Sequence, residues 1–305
     1  MFKNATFYRT NLRELNLRVT AAAINFGFEV GAFIPCAPTQ PKSTGWVPPR
    51  AEFGLLAEIV GDQLILKLMT EVRVIPTDAL ARAVEEQRKR IEKATGRKPG
   101  KKQTKELKEE VMLSLLPTAL TRRSAMLVWI DLGTGMLMID TPSRARADDA
   151  VTLLIAALPT GTEVMHSLTV DDPSWTMAEW LGSGEAPPRF SVDRECELKS
   201  KDGMKSVVRY GSHALDIDEV RAHIAAGKVP TKLALTWQSR ISFVLTDDCQ
   251  LKKLTFLDGL FAGKTNAADA FDADIAIATG ELQPLLADLV DAMGGYMSAR
   301  SAEAA

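Results

Sequence analysis

The chain has few of the residues on which disulfide frameworks, zinc sites and catalytic triads depend. It contains only three cysteines and three histidines in 305 residues. Cys36, Cys196 and Cys249 lie far apart and form no Cys-x-x-Cys pair, which argues against a disulfide framework or zinc cluster and favours a reducing compartment. The sequence also lacks a His-x-x-x-His pair and a Gly-x-Ser-x-Gly motif. We therefore predict no catalytic residue, no metal and no cofactor.

Long apolar runs are missing as well. Stretches such as 153–158 are far too short to span a membrane, and the first six residues contain no apolar signal core. We expect a cytoplasmic protein without a membrane partner. Aromatic residues make up 6% of the chain, and none lies in the segment 82–108, which argues against base stacking with single-stranded nucleic acid there.

Positive charge, by contrast, is concentrated in one segment. Residues 82–108 hold eleven Lys and Arg residues and four Glu residues, a local net charge of +7, although the whole chain has a net charge of −2. Such asymmetry favours a polyanionic partner, while a solvated helical hairpin without a partner is the alternative. Because the segment contains no aromatic residue for stacking on bases, contact with the backbone of duplex DNA is favoured, and the residues predicted to make it are Arg88, Lys89, Arg90, Lys93, Arg97, Lys98, Lys101, Lys102, Lys105 and Lys108.

The basic segment has the pattern of two helices. Helix start signals at Thr77 and Asp78 precede apolar residues at helical spacing, and Gly96 with Pro99-Gly100 interrupts the pattern. A first helix of about 17 residues would be roughly 25 Å long. We expect a second helix from about Gln103, and the two would form a protruding finger.

The flanking sequence predicts an α+β fold with mixed, largely antiparallel sheets and flanking helices. The expected elements are hairpins at 124–139 and 241–256, strands at 2–8 and 64–74, and helices at 144–158 and from Thr279 to Gly294. Residues 171–190, rich in Pro and Gly, predict an irregular connection. We expect a central domain of residues 1–77 and 121–170, the finger at 78–120 inserted in it, and a second α+β domain at 171–305.

Two patterns leave an enzyme open as an alternative. The segment 259–265 ends in Gly-Lys-Thr but has three residues between its glycines, where a phosphate-binding loop needs four, so a polar turn is favoured. The aspartate pairs 148–149, 171–172 and 247–248 could bind Mg²⁺ in a nuclease, although Asp is also common at turns and helix starts.

Several short motifs resemble the family of the bacterial recombination-associated protein RdgC. They begin with Gly45-Trp46-Val47-Pro48-Pro49 and continue in the same order to Thr279-Gly280-Glu281-Leu282. Between these lie Ser114-Leu115-Leu116-Pro117, Trp129-Ile130-Asp131, Ala226-Gly227-Lys228-Val229, Thr231-Lys232-Leu233-Ala234-Leu235, Trp237-Gln238, Arg240-Ile241 and Phe271-Asp272-Ala273-Asp274.

The resemblance implies a ring-shaped homodimer that binds double-stranded DNA without sequence preference, is associated with the nucleoid and restrains the RecA recombinase. In such a ring, further basic residues would face the hole: Lys228, Lys232, Arg240, Lys252 and Lys253. The family places an aromatic dimer contact where this chain has Leu120. Lysines of some relatives correspond to Gly211-Ser212-His213, so no DNA contact is assigned to those positions.

Three interpretations of the sequence therefore remain. The first is a non-enzymatic DNA-binding dimer that regulates recombination. The second is a nuclease or nucleotide hydrolase that uses the aspartate pairs or Lys264. The third is a docking protein whose basic finger binds an acidic partner protein.

Overall fold

The computed structural model describes residues 2–13, 21–50, 54–166, 169–201, 206–257 and 267–296, so the Gly-Lys-Thr segment at 259–265 lies outside the described residues. The strands are β1 (Thr6–Thr10), β2 (Lys42–Val47), β3 (Ala57–Val60), β4 (Gln63–Val74), β5 (Leu120–Asp131), β6 (Met136–Ile139), β7 (Val164–His166), β8 (Phe190–Ser200), β9 (Val207–Gly211), β10 (Lys228–Trp237), β11 (Ile241–Thr246) and β12 (Leu251–Phe256). The helices are α1 (Ala21–Val30), α2 (Thr77–Thr95), α3 (Lys101–Leu115), the short 3-10 helix η1 (Leu116–Thr118), α4 (Arg144–Ala157), α5 (Pro173–Ser183), α6 (Asp218–Ala225) and α7 (Ala267–Ala292).

The strands form two antiparallel sheets, which confirms the predicted α+β class. The first sheet has the order β2-β4-β5-β6-β1-β7, with β3 also paired to β4, and the second has the order β12-β11-β10-β8-β9. Both predicted hairpins are present as β5–β6 and β11–β12. No helix within the described residues combines the length and apolar character that crossing a bilayer requires.

Side chains along β4 point alternately to the two faces of the first sheet, and each face contributes to a hydrophobic core. Leu64, Leu66 and Leu68 pack into a cluster that contains residues of α1 and α4. Ile65 points to the opposite face and belongs to a second cluster, which contains residues of the second sheet and of α7. Because this second core is shared between the sheets, the predicted division into two domains stays a prediction.

The predicted irregular connection at 171–190 was wrong, because this segment contains α5. Asp172 caps the helix by accepting a hydrogen bond from the backbone N–H of Trp175 at 3.1 Å, and Pro173 occupies its first turn. Gly184 ends it in the left-handed conformation. Pro173 therefore marks the start of this helix and Gly184 its end, the positions that the backbone preferences of proline and glycine favour.

The C-terminal helix begins earlier than its sequence signals predicted. The predicted start at Thr279 was wrong, since α7 already begins at Ala267 and contains Gly280 and Pro284 in its interior. Leu282, Leu285 and Leu286 are fully buried beside the second sheet. Packing of this apolar face outweighs the cost of the two helix-breaking residues.

A buried carboxylate lies in the second sheet. Glu197 is 4% exposed, and its carboxylate accepts hydrogen bonds from Arg209 Nε at 2.7 Å, Thr231 Oγ1 at 2.9 Å and Lys232 Nζ at 3.2 Å. Lys199 Nζ lies 3.2 Å from the same group. Burial alone would raise the pKa of Glu197, but these four partners lower it to about 2.

We expect Glu197→Gln to flatten the pH dependence of stability in acid. A lowered pKa in the folded state stabilises the protein above the unfolded value of 4.5, and this stabilisation is lost as the pH falls toward about 2. Its size should be about 1–3 kcal/mol, reduced by the solvent exposure of the cations. Urea unfolding at a series of pH values from neutral into the acid range measures this stabilisation. Glu195→Gln, which removes a more exposed carboxylate paired with Lys253, is the control. If the free energy of unfolding depended on pH equally in both variants, Glu197 would not be the source of this stabilisation.

Candidate nucleic-acid interface

Helices α2 and α3 occupy the connection between the two longest strands of the first sheet. Strands β4 and β5 pair continuously from Gln63 opposite Asp131 to Val74 opposite Leu120. The helix pair follows directly beyond this last pair of residues. The pairing of β4 with β5 therefore fixes both points at which the helix pair joins the sheet.

Local sequence explains where each helix of the pair begins and ends. Helix α2 starts at Thr77 as predicted and extends for 19 residues, or about 28 Å. Gly96 adopts the left-handed conformation, and its N–H donates to the carbonyl of Glu92 at 2.8 Å. Helix α3 begins at Lys101, two residues before the predicted start, because the extended Gly100 precedes it.

The helix pair has a thin apolar seam. No residue of α2 is buried, and in α3 only Leu107 and Val111 are. Leu116, at 1% exposure, continues this seam where α3 passes into η1. The main packing partner of α2 is α3. Most of the surface of both helices is therefore accessible to solvent.

Charge is distributed unevenly along the pair. Residues 88–105, at the end that carries the connecting loop, contain nine Lys and Arg residues and one acidic residue, Glu92. The remaining acids of the two helices lie nearer the sheet: Asp78, Glu85, Glu86, Glu106, Glu109 and Glu110. A positive potential is consequently strongest at the end of the pair farthest along both helices from β4 and β5.

The structure leaves most of the predicted contact residues on this pair exposed. Arg88 is half-buried and forms an ion pair with Glu85 at 3.1 Å, and Lys98 lies 4.0 Å from Glu92. The others are exposed: Lys89, Arg90, Lys93, Arg97, Lys98, Lys101, Lys102, Lys105 and Lys108. Their cationic groups are thus accessible to a large polyanion.

The five predicted basic residues of the second sheet have a different environment. Lys232 pairs with Glu197 at 3.2 Å, Lys253 with Glu195 at 2.7 Å, and Arg240 with Glu281. Lys228 Nζ lies 3.1 Å from His223 Nδ1, and Lys252 is half-buried. Lys228 begins β10 and Arg240 follows its end, so these two residues lie roughly 30 Å apart along the strand. The five do not form one compact cluster.

Sequence reasoning missed two cations beside Lys232. Lys199 and Arg209 share the carboxylate of Glu197 with it, and the side chain of Arg209 is 71% exposed. The residues are distant in sequence and meet because β8 pairs with both β9 and β10. Only the strand pairing could have revealed them.

A polar network at the junction of the helix pair and the sheet was also missed. Glu71 is 2% exposed and accepts from Arg123 Nε at 2.6 Å and from the backbone N–H of Cys36 at 2.7 Å. These bonds, with that from Arg123 the larger cause, lower the pKa of Glu71. The guanidinium of Arg123 also lies over the ring of Phe33 at 5.5 Å. The loop after α1 is thereby attached to β4 and β5.

Leu120 lies at the same junction. It is 83% exposed and pairs in the strand register with Val74, which is 40% exposed. An exposed apolar pair at this position is compatible with the predicted dimer contact, which stays a prediction.

The aspartate pairs of the enzyme alternative are partly brought together. Asp171, Asp172, Asp247 and Asp248 line one cavity of about 330 Å³. Burial, followed by repulsion from Asp248, raises the pKa of Asp247. Across the residues that the structure describes, no group of three or more His, Cys, Asp or Glu side chains is arranged to hold a metal ion.

The third aspartate pair has other partners. Asp149 binds Lys42 at 2.7 Å, and Asp148 accepts a hydrogen bond from Tyr8 Oη at 3.4 Å. Neither Asp148 nor Asp149 is among the residues that line the cavity of the other two pairs.

Comparison with known proteins identifies one family over nearly the whole chain. A family model described as "Putative exonuclease, RdgC" matches residues 1–296. Recombination-associated proteins RdgC from Dechloromonas aromatica (strain RCB) and Herminiimonas arsenicoxydans are each 40% identical over 301 residues, covering 96% of this chain and 97% and 98% of the relatives. The corresponding protein of Cupriavidus necator is 41% identical over 273 residues, covering 88% of this chain and 90% of the relative. The chain belongs to the RdgC family of recombination-associated proteins.

Proposed function

We propose that the protein binds double-stranded DNA without sequence preference, encircles it as a ring-shaped homodimer and regulates homologous recombination by limiting the access of RecA. The α2–α3 pair would be a protruding finger whose cations contact the phosphates. The observation that carries the proposal is the set of nine cations, eight of them exposed, against one acid in residues 88–105. The relatives are recombination-associated proteins by name, which supports a role in recombination.

Electrostatics supplies a mechanism that needs no catalytic residue. Lys and Arg side chains that neutralise phosphates release condensed counterions, and this gain is nearly the same for every base sequence. A closed ring would add a topological barrier to dissociation. DNA that is occupied in this way is less available to a recombinase, and the protein would act in the cytoplasm at the nucleoid.

The basic residues of the second sheet would contribute less per residue than those of the finger. Lys232, Lys253 and Arg240 each pair with a carboxylate, so a phosphate must compete with that carboxylate. Lys228 lies beside His223 at 3.1 Å, and Lys252 is half-buried, so both are less accessible than the exposed cations of the finger. We propose all five as secondary contacts.

A nuclease is the second candidate function. The convergence of Asp171, Asp172, Asp247 and Asp248 on one cavity favours it, as does the description of the family model as a putative exonuclease. Incubation of the purified protein with linear and circular DNA and Mg²⁺ tests it. Cleavage that disappears in Asp247→Asn and Asp171→Asn would establish this activity, whereas intact DNA would leave binding as the function.

Duplexes of equal length and different sequence should bind with nearly equal affinity, because contacts to phosphate contain no direct information on the bases. Fluorescence anisotropy at fixed salt measures this. A preference above about a hundredfold for one sequence would require roughly 2.7 kcal/mol of base readout and would contradict the proposal. Binding to an acidic protein but to no duplex would favour the docking alternative.

Replacing Lys98, Lys101, Lys102 and Lys105 together by Ala should weaken binding to all duplexes alike. The slope of log affinity against log salt should fall by about 0.9 for each phosphate contact that is lost. The matched control replaces four exposed cations elsewhere, namely Lys3, Arg13, Arg194 and Lys201. A salt slope that is the same in the finger variant and in the parent would remove the finger from the DNA site.

Leu120→Asp should weaken the retention of closed circular DNA more than the binding of short linear duplexes. If Leu120 is buried between subunits, the new carboxylate would cost several kcal/mol and open the ring at that contact. The measurement compares retention on circular plasmid with binding to linear duplex, with the mass in solution followed in parallel. Val170→Asp, at another exposed apolar residue, is the control. Equal retention by Leu120→Asp and the parent would exclude Leu120 as a closing contact.

A further inference from the structure

Arg73 connects three segments of the chain at the root of the helix pair. Its Nε donates to the carbonyl of Ala37 at 3.2 Å, and one terminal nitrogen donates to the carbonyl of Cys36 at 3.2 Å. The other terminal nitrogen donates to the carbonyls of Leu116 and Ala119 at 3.1 and 3.2 Å. One guanidinium thus joins β4, the loop after α1 and the turn between α3 and β5.

The turn that Arg73 binds joins the end of α3 to the start of β5. Leu116 and Ala119 flank η1, in which Pro117 has no N–H to donate. On the other side, α2 begins after Pro76 with no hydrogen bond from a capping side chain. Since α2 buries no residue, the pair is held relative to the sheet by the buried residues Leu107, Val111 and Leu116 and by the polar bonds at this turn.

The loop on the opposite side of Arg73 is itself firmly held. The backbone N–H of Cys36 donates to the buried carboxylate of Glu71, which also accepts from Arg123. Arg73 therefore ties the turn after α3 to a segment that is fixed to both β4 and β5. Its own backbone N–H donates to the carbonyl of Pro41 at 2.9 Å, which fixes the loop a second time.

We propose that Arg73 is a positioning residue that sets the orientation of the α2–α3 pair for binding to DNA, a role that rests on the proposed function. It acts through the carbonyls of the η1 turn and contacts no phosphate itself. The planar guanidinium offers five donors in a fixed fork, and four of its N–H groups are used here. Lysine has the same charge but offers three donors on one nitrogen, so it cannot reach both segments together.

The test compares Arg73→Lys and Arg73→Ala with Arg122→Lys and Arg122→Ala. Arg122 lies in the adjacent strand opposite Val72, is exposed, and forms no ion pair or side-chain hydrogen bond in the part of the chain that the structure describes. Arg122 therefore matches Arg73 in charge and location but lacks its side-chain hydrogen bonds. Amide hydrogen exchange without DNA measures how firmly residues 112–121 are held, and duplex affinity at several salt concentrations measures the DNA contacts.

We expect both Arg73 variants to exchange faster at residues 112–121 than the parent, with exchange in β10 and α7 unchanged. Both should bind duplexes roughly tenfold or more weakly, with a salt slope reduced by more than the 0.9 of one contact, because several finger cations lose their alignment together. Both Arg122 variants should keep the exchange of the parent. Arg122→Ala should change the salt slope by no more than about 0.9.

Three results would overturn this role for Arg73. In the first, Arg73→Lys matches the parent in exchange and affinity, so that charge alone matters. In the second, Arg73→Ala matches Arg122→Ala in every measurement. In the third, both Arg73 variants lose stability throughout the molecule. Failure of the parent to bind any duplex would refute the proposed function instead, and the exchange comparison would still decide whether Arg73 holds the junction.

Discussion

The pairing of β4 with β5 is the interaction on which the rest of the structure depends. At one end of the ladder, Leu64 and Ile130 are fully buried in a hydrophobic core. At the other end, Val74 and Leu120 are exposed, and the chain between them forms the basic helix pair. A single run of backbone hydrogen bonds thus transmits the rigidity of the core to a segment that has almost no core of its own.

The basic segment imposes the opposite constraint. Nine cations in residues 88–105 cannot be buried without large desolvation costs, so they must remain in water. Mutual repulsion among them also weakens the helices that bear them. Stability therefore has to come from Leu107, Val111 and the polar bonds at the root. A basic surface built in this way is accessible because it contributes little to the stability of the fold.

Sequence patterns predicted the elements whose signals are local. The hairpins, the α2 start at Thr77 and the exposed cations of the helix pair follow from periodicity, turn residues and charge. Helix α5 was missed because Pro173 and Gly184 were interpreted as breakers, and α7 was begun too late because tertiary packing holds Gly280 and Pro284 within a helix. The networks around Glu71, Arg73 and Glu197 join residues on different strands, so no local pattern could reveal them.

The N-terminal strand has a consequence for the order of folding. The backbones of Ala5 and Leu251 exchange two hydrogen bonds, at 2.8 and 2.9 Å, and Gln250 Nε2 donates to Thr6 Oγ1 at 3.1 Å. These contacts cannot form until the ribosome has released the hairpin that contains Leu251. Closing so long a loop is entropically costly and slows folding. Strand β1 itself can pair with β6 and β7 once residues up to 166 have been made, so the first sheet can form before the bridge at Ala5 joins it to the second sheet.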